Sequence, residues 1–150
     1  IVDLAAQTAA PLARWIKDSD LLALMAELGV AVNFWHLADN GKDSVGLLDR
    51  LVDCYGDGPN YIVVRNLGRG SDFSQLDESA ALGKAKNLGA RVISLPQLHE
   101  TSMGKIDRQN ASFWAAINLR DGPDALGMLE RQHVKGWLKT AYATFDGLPL

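Results

Sequence analysis

The sequence has little of several features that would restrict its fold and its function. Its 150 residues include one cysteine, Cys54, so no disulfide can form within the chain and we expect a reducing compartment. No stretch approaches the ~18 consecutive apolar residues of a membrane-spanning helix, which predicts a soluble, cytoplasmic protein. Basic residues number 15 and acidic residues 18, and the resulting net charge of −3 gives no global bias toward nucleic acid or anionic membrane. With 5 prolines and 47% hydrophobic residues, the composition excludes a disordered or collagen-like chain.

The motifs of several enzyme classes are also missing. Gly41 and Lys42 resemble the end of a phosphate-binding loop, but Asp43 stands where the magnesium-binding hydroxyl belongs. The segment 68–70 begins like a dinucleotide-binding fingerprint that then lacks its third glycine. His99 and Glu100 are not followed by the second histidine of a zinc protease. Cys54 has no adjacent histidine, so we expect a small buried hydrophobic residue rather than a nucleophile.

What the sequence does contain is an alternation of strand and helix patterns. Short apolar runs rich in β-branched and aromatic residues predict strands over 30–35, 61–64 and 91–95. Residues 97–110 have no steady period and are predicted to form a long loop. Amphipathic patterns predict helices over 11–16, 21–28, 45–55, 74–88, 112–119 and from Leu126 to Phe145. The alternation predicts a single α/β domain over residues 1–150, with a mostly parallel sheet and helices on both faces.

The first residues have the composition of a strand end. Only Ile1 and Val2 precede Asp3, whereas a strand has about 5 to 6 residues, so we expect the sequence to begin inside a strand of a longer protein. An aspartate at the carboxyl end of such a strand suits a carboxylate that helps to hold Mg²⁺; a helix cap is the alternative for Asp3. Gln7 suits a residue that orients a water molecule, with an ordinary polar loop residue as the alternative.

Two further groups of residues have a functional and a structural interpretation. Asn66 follows a buried strand, where its amide suits a hydrogen bond to a base edge and equally suits an ordinary turn. Arg131, Lys135 and Lys139 lie on the last predicted helix, where they form either a local basic patch or a solvated helix face.

Several phrases of the sequence resemble ParA/MinD-type P-loop ATPases, which segregate or position plasmids and cell-division proteins. They are most similar to the ParA-like proteins encoded beside plasmid mobilisation, conjugal-transfer and plasmid stability genes. The resemblance covers most of the chain from Asp3 to Phe145. The phrases that carry it are DLAAQT at 3–8, WH at 35–36 with GKDS at 41–44, VRNLGRG at 64–70 and LPQLHE at 95–100.

The resemblance implies a P-loop NTPase-like three-layer sandwich of which residues 1–150 are the carboxy-terminal part, with the Walker A strand and loop upstream of Ile1. It implies ATP and Mg²⁺ as cofactors of the intact parent protein. Asp3 and Gln7 are then the expected catalytic residues, and Asp3 is also the expected metal ligand. The residues expected to bind the nucleotide are Arg65, Asn66 and Pro96.

The same resemblance implies a function in plasmid mobilisation, conjugal transfer or plasmid maintenance. It implies ATP-dependent formation of a homodimer, binding of plasmid transfer or partition proteins, DNA contact that is indirect or non-specific, and no membrane. Without a Walker A loop we expect the chain alone to be inactive. One alternative is a nucleotide-free interaction or scaffold domain with the same fold. Another is a small flavodoxin-like or transferase enzyme that uses His36, Asp39 and His99 at the carboxyl edge of the sheet.

Overall fold

A three-stranded parallel sheet lies at the centre of the fold. The structure, a computed structural model, describes residues 1–4 and 7–148. Its strands are β1 (Asn33–Ala38), β2 (Asn60–Asn66) and β3 (Arg91–Leu95), hydrogen-bonded in the order β1-β2-β3. Because both pairings are parallel, all three strands end at one edge of the sheet. The α/β class and the parallel sheet are confirmed.

Eight α-helices and one 3₁₀ turn connect and cover the strands within the described residues. The 3₁₀ turn, Leu67–Arg69, directly follows β2. The helices are α1 (Ala9–Asp18), α2 (Leu21–Glu27), α3 (Lys42–Tyr55), α4 (Ser74–Asp77), α5 (Ala80–Asn87), α6 (Glu100–Arg108), α7 (Phe113–Asn118) and α8 (Met128–Asp146).

One face of the sheet is covered by α3, α4 and α5. Side chains alternate across a strand, so Tyr61 and Val63 of β2 share this face. They pack with Leu48 of α3 and with Leu76 and Leu82 of α4 and α5 in one buried cluster. All five side chains are almost or completely withdrawn from solvent, and this cluster is the main core of the domain.

The opposite face carries α8. The ring of Phe145 on α8 meets Trp35 of β1 edge-on, with centroids 5.7 Å apart. The helices α6 and α7 pack against α8 through a second buried cluster that includes Ile106, Ala116 and Val134. Helices therefore lie on both faces of the sheet, as the strand and helix alternation predicts.

β1 is an edge strand whose α8-facing side is only partly covered. Leu37 is 62% exposed and Trp35 is 38% exposed, whereas Ile62 and Val64 on the same face of β2 are buried. The apolar character of this face therefore continues from the core to the surface at β1.

The strands differ from the sequence prediction in their ends. β1 lies three residues further along the chain than 30–35, because its pairing with β2 begins at Asn33 opposite Asn60 and leaves Val30 exposed. His36 is therefore inside the strand rather than in the loop after it. β2 continues beyond 64 to Asn66, so Arg65 and Asn66 are also strand residues. The prediction for β3 is confirmed at both ends.

The helices differ in three places. The predicted loop at 97–110 is wrong, because residues 100–108 form α6, whose inner side is made by Ser102 and Ile106. The predicted helix over 74–88 is divided at Ser79, whose hydroxyl accepts a hydrogen bond from the Leu82 amide at 3.1 Å and begins a new helix. The last helix begins at Met128 rather than at Leu126.

Residues 1–4 form no strand in the described structure, and Ile1 and Val2 are exposed. That the sequence begins inside a strand of a longer protein stays a prediction. Cys54 lies on α3 as predicted but is exposed rather than buried, because its side chain is on the outer side of that helix.

Candidate functional site

The carboxyl edge of the sheet collects the polar residues that follow the three strands. β1 ends at Ala38 opposite Arg65, and Asn66 of β2 lies opposite Leu95, the last residue of β3. Pro96 comes directly after Leu95. In parallel sheets, ligands bind outside this edge, so the turns after β1, β2 and β3 form the candidate site.

The turn after β1 is closed by a network of short hydrogen bonds. The Ser44 hydroxyl donates to Asp39 Oδ1 at 2.6 Å and accepts from the Asp39 amide at 3.1 Å. The Gly41 amide donates to the same carboxylate oxygen at 2.9 Å. The hydrogen bond from the Ser44 hydroxyl, and after it the bond from the Gly41 amide, lowers the pKa of Asp39 below its ordinary value.

His36 joins this network from inside β1. Its Nε2 lies 3.0 Å from the Ser44 carbonyl oxygen and donates to it, which leaves Nδ1 as an acceptor in the neutral ring. Burial is the main influence on this imidazole and lowers its pKa, against the opposing effects of the Ser44 carbonyl and the Asp39 charge. The arrangement of His36 and Asp39 is therefore that of a structural network around Ser44. His99, the third residue of the transferase hypothesis, lies before α6 beside His133, with ring centroids 6.3 Å apart.

The turn after β2 is tight and packs against the turn after β1. Asn66 Oδ1 accepts a hydrogen bond from the Gly68 amide at 3.1 Å, which fixes the 3₁₀ turn. Gly70 has a φ of 144° and a Cβ at this position would collide with the Asn40 carboxamide, so only glycine fits between the two turns. The turn interpretation of Asn66 is thus realised through Oδ1, and its amide nitrogen has no hydrogen bond within residues 1–4 and 7–148.

Arg65 is held by an ion pair. Its guanidinium pairs with the Asp77 carboxylate of α4, to which Nε also donates at 3.1 Å. The pair draws Arg65 toward the α4 face of the sheet, away from the opposite face that carries α8. A ligand that used this guanidinium would therefore compete with Asp77.

Pro96 is fixed from the other side of the sheet. The indole Nε1 of Trp137 on α8 donates to its carbonyl oxygen at 2.7 Å. The turn after β3 is thus tied to α8, and Pro96 is brought next to Asn66 by the β2–β3 register. Trp137 is a residue that the sequence prediction missed, since the bond joins positions 41 residues apart.

Asp3 and Gln7 precede α1 and belong to none of the turns that follow the strands. Both are exposed, and Gln7 has a φ of 67°. Their side chains have no hydrogen bond or ion pair to the carboxyl-edge residues in the part of the chain that the structure describes. Ala5 and Ala6, which belong to the same family-like phrase, lie outside the described residues. The catalytic and metal-binding roles of Asp3 and Gln7 stay predictions.

The residues present fit an adenine base better than they fit a phosphate chain. The amide nitrogen of Asn66 is a donor suited to a ring nitrogen of a base, and Pro96 offers an apolar ring beside it. No glycine-rich lysine loop occurs in the 150 residues. Within residues 1–4 and 7–148, no group of three or more His, Cys, Asp or Glu side chains is arranged to hold a metal ion.

Comparison with known proteins identifies no family for this chain. No family model matches the sequence, and neither a curated protein nor a solved structure is significantly similar to the chain. No helix in the described residues is long and apolar enough to cross a membrane.

Proposed function

We propose that this chain is part of a ParA/MinD-like ATPase and that its carboxyl edge binds the base of ATP. The observation that carries the proposal is the β2–β3 register, which pairs Asn66 with Leu95 and so brings Asn66 beside Pro96. Two of the three residues that the resemblance assigns to the nucleotide are thereby neighbours at the edge where α/β sheets bind ligands.

In this function each residue of the edge has a separate task. Asn66 uses Oδ1 to hold its own turn and offers its amide nitrogen to the base. Pro96, tied to Trp137, supplies a fixed surface on which the base rests. ATP and Mg²⁺ supply the reactive phosphate chemistry in the intact parent, and Asp3 and Gln7 are the residues proposed to act there. The proposal requires a glycine-rich lysine loop outside residues 1–150.

The biological role proposed with this activity is plasmid mobilisation, conjugal transfer or plasmid maintenance. ATP would stabilise a homodimer, and the dimer would bind a transfer or partition protein or contact DNA. A ligand shifts such an equilibrium by its differential affinity for the two states. The net charge of −3 favours a role mediated by a partner protein over a strongly basic DNA clamp.

The test is calorimetric titration of the chain, and of the protein extended upstream by its coding region, with ATP and Mg²⁺. We expect Asn66→Ala to weaken nucleotide binding about tenfold, the worth of one hydrogen bond to the base. Asn87→Ala, at an exposed position at the end of α5, is the matched control and should leave binding unchanged. An upstream region that encodes no glycine-rich lysine loop would refute the ATPase proposal.

A nucleotide-free interaction domain is the second candidate function. It is favoured by the ion pair that occupies Arg65 and by the exposed apolar side chains of Trp35 and Leu37 on β1. Calorimetry separates the two functions, because micromolar binding of ATP by the chain would exclude the scaffold role.

A further inference from the structure

A groove beside α8 is the feature of the surface that the proposed nucleotide site does not use. It has a volume of about 500 Å³ and lies between α8 and Ile117 of α7. We call it the α8 groove. Its remaining lining residues recur at helical spacing over three turns of α8: Lys135, Leu138, Lys139, Tyr142, Ala143 and Asp146.

The floor of the α8 groove is apolar and anchored. Ile117 and Leu138 are half-buried and pack against the second buried cluster. Tyr142 stands at the side of the groove and is 59% exposed. An aromatic side chain beside aliphatic ones forms a surface on which an apolar ligand can bury a large area and so gain binding free energy.

The charges of the groove are separated along α8. Lys135 and Lys139 lie four residues apart, about 6 Å along the helix axis, and neither has an ion-pair partner among the described residues. Asp146 lies about 16 Å from Lys135 along the axis, in the last turn, where the carbonyl ends of the helix add further negative potential. The groove therefore runs from a positive end through an apolar middle to a negative end.

We propose that the α8 groove docks an amphipathic helix of a partner protein. The complementary helix is about three turns long, which matches the length of the stripe. It carries two acidic residues one turn apart against Lys135 and Lys139, and aliphatic residues against Leu138 and Tyr142. It carries no acidic residue where it meets Asp146. This proposal is independent of nucleotide binding at the carboxyl edge.

The observations favour a protein helix over nucleic acid. A nucleic-acid surface neutralises several phosphates with several cations, whereas this groove offers two lysines and a carboxylate that repels phosphate. The apolar floor also has no counterpart in a phosphate backbone. Helix-in-groove binding, in contrast, places apolar side chains of the bound helix into an apolar groove, and Ile117, Leu138 and Tyr142 give the α8 groove such a surface.

The experiment uses the whole chain and two synthetic helical peptides of about 16 residues. The acidic probe has two glutamates one turn apart followed by leucines on the same face, and the basic probe has lysines in place of the glutamates. Fluorescence anisotropy measures their binding. We expect the acidic probe to bind at least about tenfold more tightly than the basic probe. Its two glutamates attract Lys135 and Lys139, whereas the lysines of the basic probe repel them.

Charge reversal of the protein supplies the decisive comparison. The double variant Lys135→Glu with Lys139→Glu should lose about tenfold in affinity for the acidic probe and gain affinity for the basic one. Lys86→Glu, an exposed lysine of α5 on the opposite face of the sheet, is the matched control and should change neither. Tyr142→Ala should weaken both probes, because it removes an apolar contact.

Two results would overturn the proposal. One is equal affinity of the wild-type chain for the two probes, or an affinity for the acidic probe that the double charge reversal leaves intact. The other is that a duplex DNA of about 20 base pairs binds more tightly than the acidic probe and that the double variant no longer binds this DNA. The groove would then be a nucleic-acid surface.

Discussion

At the scale of single residues, the Ser44 hydroxyl shows how one group can hold a turn of the candidate site. Ser44 is buried and both donates to and accepts from Asp39, while its carbonyl accepts from His36. Its neighbour Asp39 is exposed, so the carboxylate is restrained by these bonds rather than by packing. The turn after β1 therefore owes its shape to hydrogen bonds, and single substitutions can test it.

We expect Ser44→Ala to lower the free energy of unfolding by about 1 kcal/mol, since two hydrogen bonds are lost while the exposed Asp39 regains water. The pKa of Asp39 should rise toward its ordinary value, because the bond from Ser44 is the first cause of its depression. Urea denaturation and carbon NMR of the carboxylate measure the two effects. Ser71→Ala, at an exposed position, is the control, and an unchanged Asp39 pKa in Ser44→Ala would contradict the prediction.

The second residue prediction concerns the pH dependence of His36. Burial holds its pKa below the ordinary 6.5, so the unfolded chain takes up the proton first as the pH falls. The stability that the neutral ring contributes is present above about pH 6.5 and is lost as the pH falls through the pKa of the folded state. Proton NMR of the ring should give a pKa below 6.5. His36→Gln, which keeps a donor, should flatten the loss of stability between pH 7 and about pH 5.

At the scale of elements, the sequence pattern predicts best the strand whose two ends are marked by turn residues. β3 lies between Gly89 and Pro96, two residues that end regular structure, and its ends are predicted correctly. α6 is not predictable in this way, because its inner side includes Ser102 and only a few apolar residues, so its period is hidden. The shift of β1 follows from pairing with β2, which no local pattern contains.

The candidate site, too, can be predicted from the sequence only in part. Asn66 ends β2 and Pro96 follows β3, and their place at the carboxyl edge can be predicted from the strand order. The bond between Trp137 and Pro96 and the pair between Arg65 and Asp77 depend on how distant elements pack. Such contacts require the folded arrangement of α8 and α4 and leave no trace in local composition.

The element prediction compares two adjacent leucines of α3. Leu48 is completely buried against β2, whereas Leu47 points outward and is 50% exposed. We expect Leu48→Ala to lower the free energy of unfolding by about 2 to 5 kcal/mol, because it leaves a cavity in the main core. Leu47→Ala should change it by less than about 0.5 kcal/mol. If urea denaturation gave equal losses of unfolding free energy for the two variants, α3 would not pack against the sheet through the face that carries Leu48.

At the scale of the whole molecule, the sheet links the two buried clusters. Tyr61 and Val63 of β2 belong to the cluster on the α3 side. On the other side, α8 meets the sheet through Phe145 on Trp35 and through the hydrogen bond from Trp137 to the Pro96 carbonyl. A shared sheet favours a single cooperative unfolding transition for the described domain.

We therefore expect thermal unfolding followed by far-ultraviolet circular dichroism and by tryptophan fluorescence to give one common midpoint. Val134→Ala in the α8 cluster and Leu82→Ala in the main cluster should each lower that midpoint by about 4 to 8 °C in both signals. Separate midpoints for the two signals in either variant would mean that the two faces unfold independently.

The exposed thiol of Cys54 offers a way to test the proposed homodimer. It is the single cysteine in the sequence and lies on α3, away from the carboxyl edge and the α8 groove. A nitroxide attached there places one spin label on each chain, at one fixed point of the fold. If ATP holds two chains together, double electron–electron resonance should report a single distance between the two spin labels. Separate chains should report none.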